Sequence, residues 1–218
     1  AFTCSFDNVN LNNLPALVSL RLIEAGIDEI DLSGIPEVRE INLGRNNLTA
    51  LDLSVLTDLV DLQLYQNQFE TINLSGLDQL ESVRLDQNQI SSIEIPVLPS
   101  LTQLEIWENN LTELDLTNVP QLLVAGLSSN NISSLIMNES ANIADLFLDD
   151  NQLTSFDGSP FNNLSQLTIN NNELEWLIVK NGVITTFDLW LQFDGNPDLA
   201  YICADEEELS LVLDIVEE

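Results

Sequence analysis

Residues 83–96 read VRLDQNQISSIEIP. Val83, Leu85, Ile90, Ile93 and Ile95 are apolar, yet Asn88 stands among them, where an amphipathic strand or helix would keep its polar residues to one face. The arrangement returns 21 residues away in both directions. Asn46, Asn67, Asn88, Asn109, Asn130, Asn151 and Asn172 form one series, with Leu or Ile three positions before each and Leu, Ile or Phe two positions after. A fixed period of this size marks a solenoid, a propeller or an array. One unit is L-x-x-L-x-L-x-x-N-x-L-x-x-L-D-L-S-x-L-x-x, and residues 59–79 (LVDLQLYQNQFETINLSGLDQ) are a clean copy.

Within a unit, L-x-L alternates with period two and reads as a short strand. A constant 21-residue step sets equivalent strands side by side in parallel, about 4.8 Å apart, with the leucines inward and the intervening residues outward. After the strand the chain has to turn, and a buried turn carries N–H and C=O groups that water cannot reach. An asparagine side chain offers both an acceptor and a donor. Asn88 and its equivalents are therefore expected to be structural rungs that bond the backbone of their own and the adjacent turn.

The segment L-x-x-L-x-L-x-x-N-x-L resembles that of leucine-rich repeats. The second half of the unit, "TALDLSVLTD" at 49–58 and "TELDLTNVPQ" at 112–121, resembles the short 21-residue bacterial subclass sometimes called IRREKO. The resemblance covers residues 14 to 203 or so. It implies a leucine-rich-repeat solenoid of the α/β-horseshoe class, mostly β with little helix, in which a curved parallel sheet of about nine strands forms a concave binding face. The ends depart from the pattern. The first unit (LVSLRLIEAGI, 17–27) has Ala25 in place of Asn, and the last step, from Asn172 to Asn196, is 24 residues. Asp205 and Glu208 have capping-box spacing, and Leu209, Val212, Leu213 and Val216 fall on one helical face, so a C-terminal capping helix is expected over 204–218. The whole chain reads as a single domain, with an N-terminal cap region at 1–16 and repeats at 17–203. "NPDLAYICADEEEL" (196–209) is similar to the end of repeat arrays in secreted flavobacterial surface proteins, which implies an extracellular or cell-surface setting and a longer parent protein.

The 218 residues include 36 acidic and 5 basic side chains and no histidine, for a net charge of -31. Nucleic acid is excluded as a partner because its phosphates require Lys and Arg, and docking on an anionic membrane is disfavoured for the same reason. No apolar run reaches the length of a membrane span. Without histidine, Ser-His-Asp and Cys-His triads cannot be built, and no phosphate loop or metal-ligand spacing is present, so an enzyme is not expected, nor a cofactor. Cys4 and Cys203 lie in the two end regions, roughly 40 Å apart if each turn adds one strand spacing. A disulfide needs Cα atoms within about 7 Å, so the two are not expected to pair. The six N-x-[ST] sequons are largely generated by the repeat itself and do not imply glycosylation.

Candidate binding residues are those that project from the strand face. Arg21, Arg45 and Arg84, with Arg39 nearby, are four of the five basic residues, and all fall in its N-terminal half. Tyr65, Trp107 and Phe147 also lie in its outward columns, as does Asp86. Exposed aromatics and arginine are enriched where interfaces carry most energy, although aromatics favour strands anyway and arginines among acids form internal ion pairs. The expected ligand-binding set is Arg21, Arg45, Tyr65, Arg84, Trp107 and Phe147. Three roles remain open: non-catalytic recognition of a protein, a carbohydrate-binding or adhesive module that uses Tyr65 and Trp107 as stacking platforms, and a structural spacer. A column of Asp31, Asp52, Asn73, Glu94, Asp115 and Asp157 is read as a solvated acidic row, with calcium as a weaker alternative because a site needs several converging oxygens. The Asp145, Asp149 and Asp150 cluster is a comparable weak candidate.

Overall fold

A computed structural model describes residues 9, 11, 12, 14–182 and 190–206. Nine short strands form one parallel sheet: β1 (Ser19–Arg21), β2 (Glu40–Asn42), β3 (Asp61–Gln63), β4 (Ser82–Arg84), β5 (Gln103–Glu105), β7 (Val124–Gly126), β9 (Asp145–Phe147), β11 (Gln166–Thr168) and β13 (Trp190–Gln192). Their register is the repeat itself, with Leu62 opposite Val83 and Val83 opposite Leu104. The expected nine-stranded sheet is therefore observed. On the opposite side, β6 (Glu113–Leu116) pairs with β8 (Ser134–Met137), and β10 (Ser155–Asp157), β12 (Trp176–Ile178) and β14 (Tyr201–Cys203) form a second small sheet.

One continuous apolar core runs from Leu11 to Ala204 between the two faces. Leucines three apart complete each turn. Leu53, Leu56 and Leu59 are buried, and the N–H groups of Leu56 and Leu59 bond the carbonyls of Leu53 and Leu56, both at 3.0 Å. These are successive tight turns, so the return path closes without an α-helix. No helix occurs among the described residues, and hence none long and apolar enough to cross a membrane. The expected capping helix falls almost wholly on 207–218, outside the described residues, as does Cys4. The carboxylate of Asp205, expected as its cap, accepts from the N–H groups of Asn181 and Gly182 at 3.1 and 3.0 Å.

The asparagine rungs form as the pattern requires. Asn88 Nδ2 donates to the carbonyls of Leu64, Leu85 and Asp86, and Asn88 Oδ1 accepts from the N–H of Phe69 at 3.1 Å. Where Ala25 replaces the rung, its N–H bonds Asn46 Oδ1 of the next turn. The turn also demands a feature that the sequence does not advertise. The residue just before each rung, from Glu24 through Arg45, Gln87 and Ser129 to Asn171, has a left-handed φ of 52 to 60°. Only in the last unit does a glycine, Gly195, occupy this place.

The acidic column is not simply solvated. Asp31, Asp52, Asp115 and Asp157 each accept the N–H of the Ser or Thr two residues on, at 2.9 Å, which closes a small turn after each L-D-L segment. Asn73 and Asn138 make the same bond to Ser75 and Ser140. The side-chain and backbone bonds from Ser33, Ser54 and Thr117 hold Asp31, Asp52 and Asp115 below the ordinary aspartate range. A carboxyl that is lowered in the fold stabilises it above the unfolded pKa, and that contribution is lost as pH falls through the folded value. Asn keeps the acceptor without titrating. Asp52→Asn is therefore expected to leave the urea midpoint near native at pH 7 and to narrow the difference between neutral and acid midpoints below about pH 3.8; an identical acid profile in both proteins would count against this role.

Candidate functional site

The strand face is covered by ladders of side chains, and the repeat decides which rungs meet. Along the left-handed positions, Arg45 Nε donates to Gln66 Oε1 at 2.6 Å, Gln66 donates to Gln87, and Gln87 Nε2 donates to Glu108 Oε2 at 2.8 Å. Arg45 also faces Glu24 at 3.8 Å, with both side chains more than half exposed, so this ion pair adds little. Arg21 is exposed on β1. From β1 to β9 there are six strand spacings, about 29 Å. The six residues expected to bind a ligand are therefore spread along the strand face rather than gathered at one point. They sort into an Arg21–Arg45 end and two aromatic positions.

At the first aromatic position the Tyr65 ring lies over Gly44, where any Cβ would run into it. The Arg84 guanidinium sits 4.5 Å from the centre of the same ring. Arg84 Nε donates to Asp86 Oδ1 at 2.6 Å and lies 3.2 Å from Glu105 Oε2. Asp86, expected to point outward, is fully buried, with the Arg84 side chain over it. Burial pushes the Asp86 carboxyl above the ordinary aspartate range even against the pull of Arg84, while the hydrogen bond to Asp86 raises Arg84 further. Tyr65 is thus covered by the protein's own cation, and that face does not present a bare platform to a sugar.

The second aromatic position is open. Trp107 and Phe147 are half-buried and flank β7, whose Gly126 contributes no side chain. A Cβ placed on Gly126 would lie 3.4 Å from the Trp107 ring and 3.7 Å from Cγ of Glu105. Together with Val124 and Ser128 these residues line a hollow of about 340 Å³. Neither Gly126 nor its pairing with Trp107 was singled out by sequence reasoning. The signal that could have found it is a glycine between two strand leucines, one strand from an aromatic. A larger opening, about 450 Å³, lies on the opposite side between β8 and β10. It is the space left where two small sheets do not pair, and its lining includes Phe156 and Phe161, whose rings stack against each other at 6.4 Å, and the exposed Ile136.

The Asp145, Asp149 and Asp150 cluster does not converge. Asp149 accepts from Thr168, from the backbone and side chain of Asn170, and at long range from Ser128, while Asp150 accepts from Asn171. Among the described residues no group of three acids or cysteines is placed to share a metal ion.

No protein-family model matches this sequence, and no curated protein matches it. Solved structures do. The functional domain of InlJ from Listeria monocytogenes, which includes a cysteine ladder, superposes with a TM-score of 0.73 at 22% identity over 94% of this chain and 47% of that one. The leucine-rich-repeat protein LIC12759 of Leptospira interrogans gives 0.66 at 19% identity, over 87% and 49% of the two chains. This is a leucine-rich-repeat fold. YopM from Yersinia enterocolitica shares it, with a TM-score of 0.60 at 22% identity over 93% of this chain and 48% of that one. This chain spans about half the length of these proteins. With two cysteines, it has no cysteine ladder of its own.

Proposed function

We propose that this chain is a non-catalytic recognition module of a secreted or surface-exposed bacterial protein, and that it binds a protein partner through its strand-bearing face. The observation that carries this reading is the open hollow between Trp107 and Phe147, on a face whose other polar side chains are largely bonded to one another. Aromatic walls around a side-chain-sized recess are where interface energy concentrates. The bacterial setting rests on the resemblance of the 21-residue unit, and the extracellular setting and longer parent on that of residues 196–209, with the half-length match to similar structures in the same direction. The carbohydrate alternative retains Trp107 but loses Tyr65, whose ring is covered by Arg84.

The test is affinity capture from a pool of extracellular proteins and glycans, on immobilised native protein and two variants. Trp107→Ala with Phe147→Ala empties the hollow walls, and Ile136→Ser alters the opposite side, where Ile136 is exposed. A protein held by the native chain and by Ile136→Ser, but released at least about tenfold more readily by the double variant, is the expected result. A glycan with that behaviour would move the assignment to the carbohydrate reading. Equal retention by all three would remove the strand face as the binding surface.

A further inference from the structure

The two aromatic positions occupy the same place in the repeat, 42 residues apart, and the register relates them residue by residue. Tyr65 corresponds to Trp107. Arg84, which lies over Tyr65, corresponds to Gly126, which lies against Trp107. Glu105, which flanks Arg84 on its far side, corresponds to Phe147. The hollow is therefore the Tyr65 arrangement with its cation deleted and a second ring placed where the acid stood. Two rings remain, with the Glu105 carboxylate at their edge already engaged by Arg84 Nε at 3.2 Å and by Gln103 Nε2 at 2.6 Å, and none of the side chains that line the hollow is basic. Arg84, the nearest basic residue, is held by Asp86 and Glu105, so that trio stays net negative. Between Arg84 and Lys180 there is no basic residue in the sequence, while the net charge is -31.

We propose that the Trp107–Gly126–Phe147 hollow seats a basic side chain of the protein partner, in the place where the same fold two repeats earlier carries its own arginine. This deepens the protein-recognition reading above and rests on it. A guanidinium or ammonium held over an aromatic face is attracted by the ring quadrupole, more strongly when partly desolvated. Trp107 offers the best such face and Phe147 closes the other side, while Glu105, paired with Arg84, lies at the edge. The surrounding negative potential raises the encounter rate of a basic partner without deciding where it docks.

The probes are hexa-arginine and its neutral isostere hexa-citrulline, titrated calorimetrically at about 0.15 M salt, where charges beyond about 8 Å are screened. Three proteins are compared: native, Gly126→Val and Gly126→Arg. Valine puts its Cβ at ordinary contact distance from Trp107 and narrows the hollow without changing charge, and arginine places a tethered cation in it. Hexa-arginine is expected to bind the native chain at least about tenfold more tightly than either variant and at least about tenfold more tightly than hexa-citrulline binds. Gly126→Arg is also expected to change the tryptophan emission without any ligand, as its guanidinium stacks on Trp107. Equal affinity of hexa-arginine for native and Gly126→Val would overturn the proposal, since attraction would then belong to the whole acidic surface. Equal affinity of the two peptides would overturn it as well, by removing the cation. Neither probe enters the partner-capture experiment. A partner lost from the Trp107/Phe147 double variant alongside a failed arginine test therefore leaves protein recognition standing, whereas a positive arginine test with no such partner removes the protein-partner reading alone.

Discussion

Asn88→Ala is expected to destabilise the chain by about 3 kcal/mol, read as a fall in the urea midpoint at pH 7 with little change in slope. The reasoning starts from which groups lose their only partner. The carbonyl of Leu64 accepts from Asn67 as well as Asn88, and the carbonyl of Leu85 accepts from Asn109 as well as Asn88. Those acceptors keep one bond each. The N–H of Phe69 has Asn88 Oδ1 as its partner, and alanine leaves that donor buried and unpaired. An orphaned buried donor costs about 1–3 kcal/mol, and the lost carboxamide packing and weakened carbonyl bonds add to it. Asn88→Asp separates these terms. It keeps the acceptor for Phe69 but turns an oxygen toward three carbonyl oxygens, so it should be at least as damaging as alanine. A loss under about 0.5 kcal/mol in either variant, typical of a surface change, would show that the rungs carry little of the stability.

The rungs were legible in the sequence because a buried polar group has to be explained: seven asparagines in an otherwise apolar column have few uses other than closing backbone bonds. The left-handed residue beside each rung was not legible. Glu24, Arg45, Gln87, Ser129 and Asn171 are all polar but share neither charge nor size, and the fold accepts the strain at each because the rung fixes the turn around it. Alternation placed Asp86 outward, and its direction is right, but its depth depends on Arg84, which covers it from the adjoining column. The hollow was missed for a related reason. Alternation assigns faces, but it does not say that the Tyr65 and Trp107 rings lean toward positions 19 residues on or one unit back. Only that lean makes Arg84 and Gly126 counterparts and turns a glycine into a recess.

Arg84→Ala should expose how far Asp86 depends on its partner. The Asp86 side chain has no solvent exposure and takes both guanidinium contacts, at 2.6 and 3.4 Å, while 38% of the Arg84 side chain remains exposed. Removing one partner of a buried pair leaves an uncompensated charge, which costs about 3–5 kcal/mol when both are fully buried. Here water can follow into the space that Arg84 vacates, so a loss of about 2–3 kcal/mol at pH 7 is expected. The pH dependence gives the sharper reading. Burial already raises the Asp86 carboxyl above its ordinary value of 3.8. A group whose folded pKa is raised binds its proton more tightly in the fold, so its contribution is most favourable below the unfolded value and is lost as pH rises through the folded one. Without Arg84 the folded value rises further. The gap between native and Arg84→Ala midpoints should thus be widest at neutral pH and shrink as Asp86 takes up its proton on acidification. Taking the difference between the two proteins cancels the relief of repulsion that the other carboxyls share. Arg84→Lys keeps the charge but not the planar fork over Tyr65, and it should fall between the two. A gap that stays constant from pH 7 to pH 4 would mean that Arg84 acts through packing on Tyr65 alone, and Asp86 would then have to be accommodated by water rather than by charge.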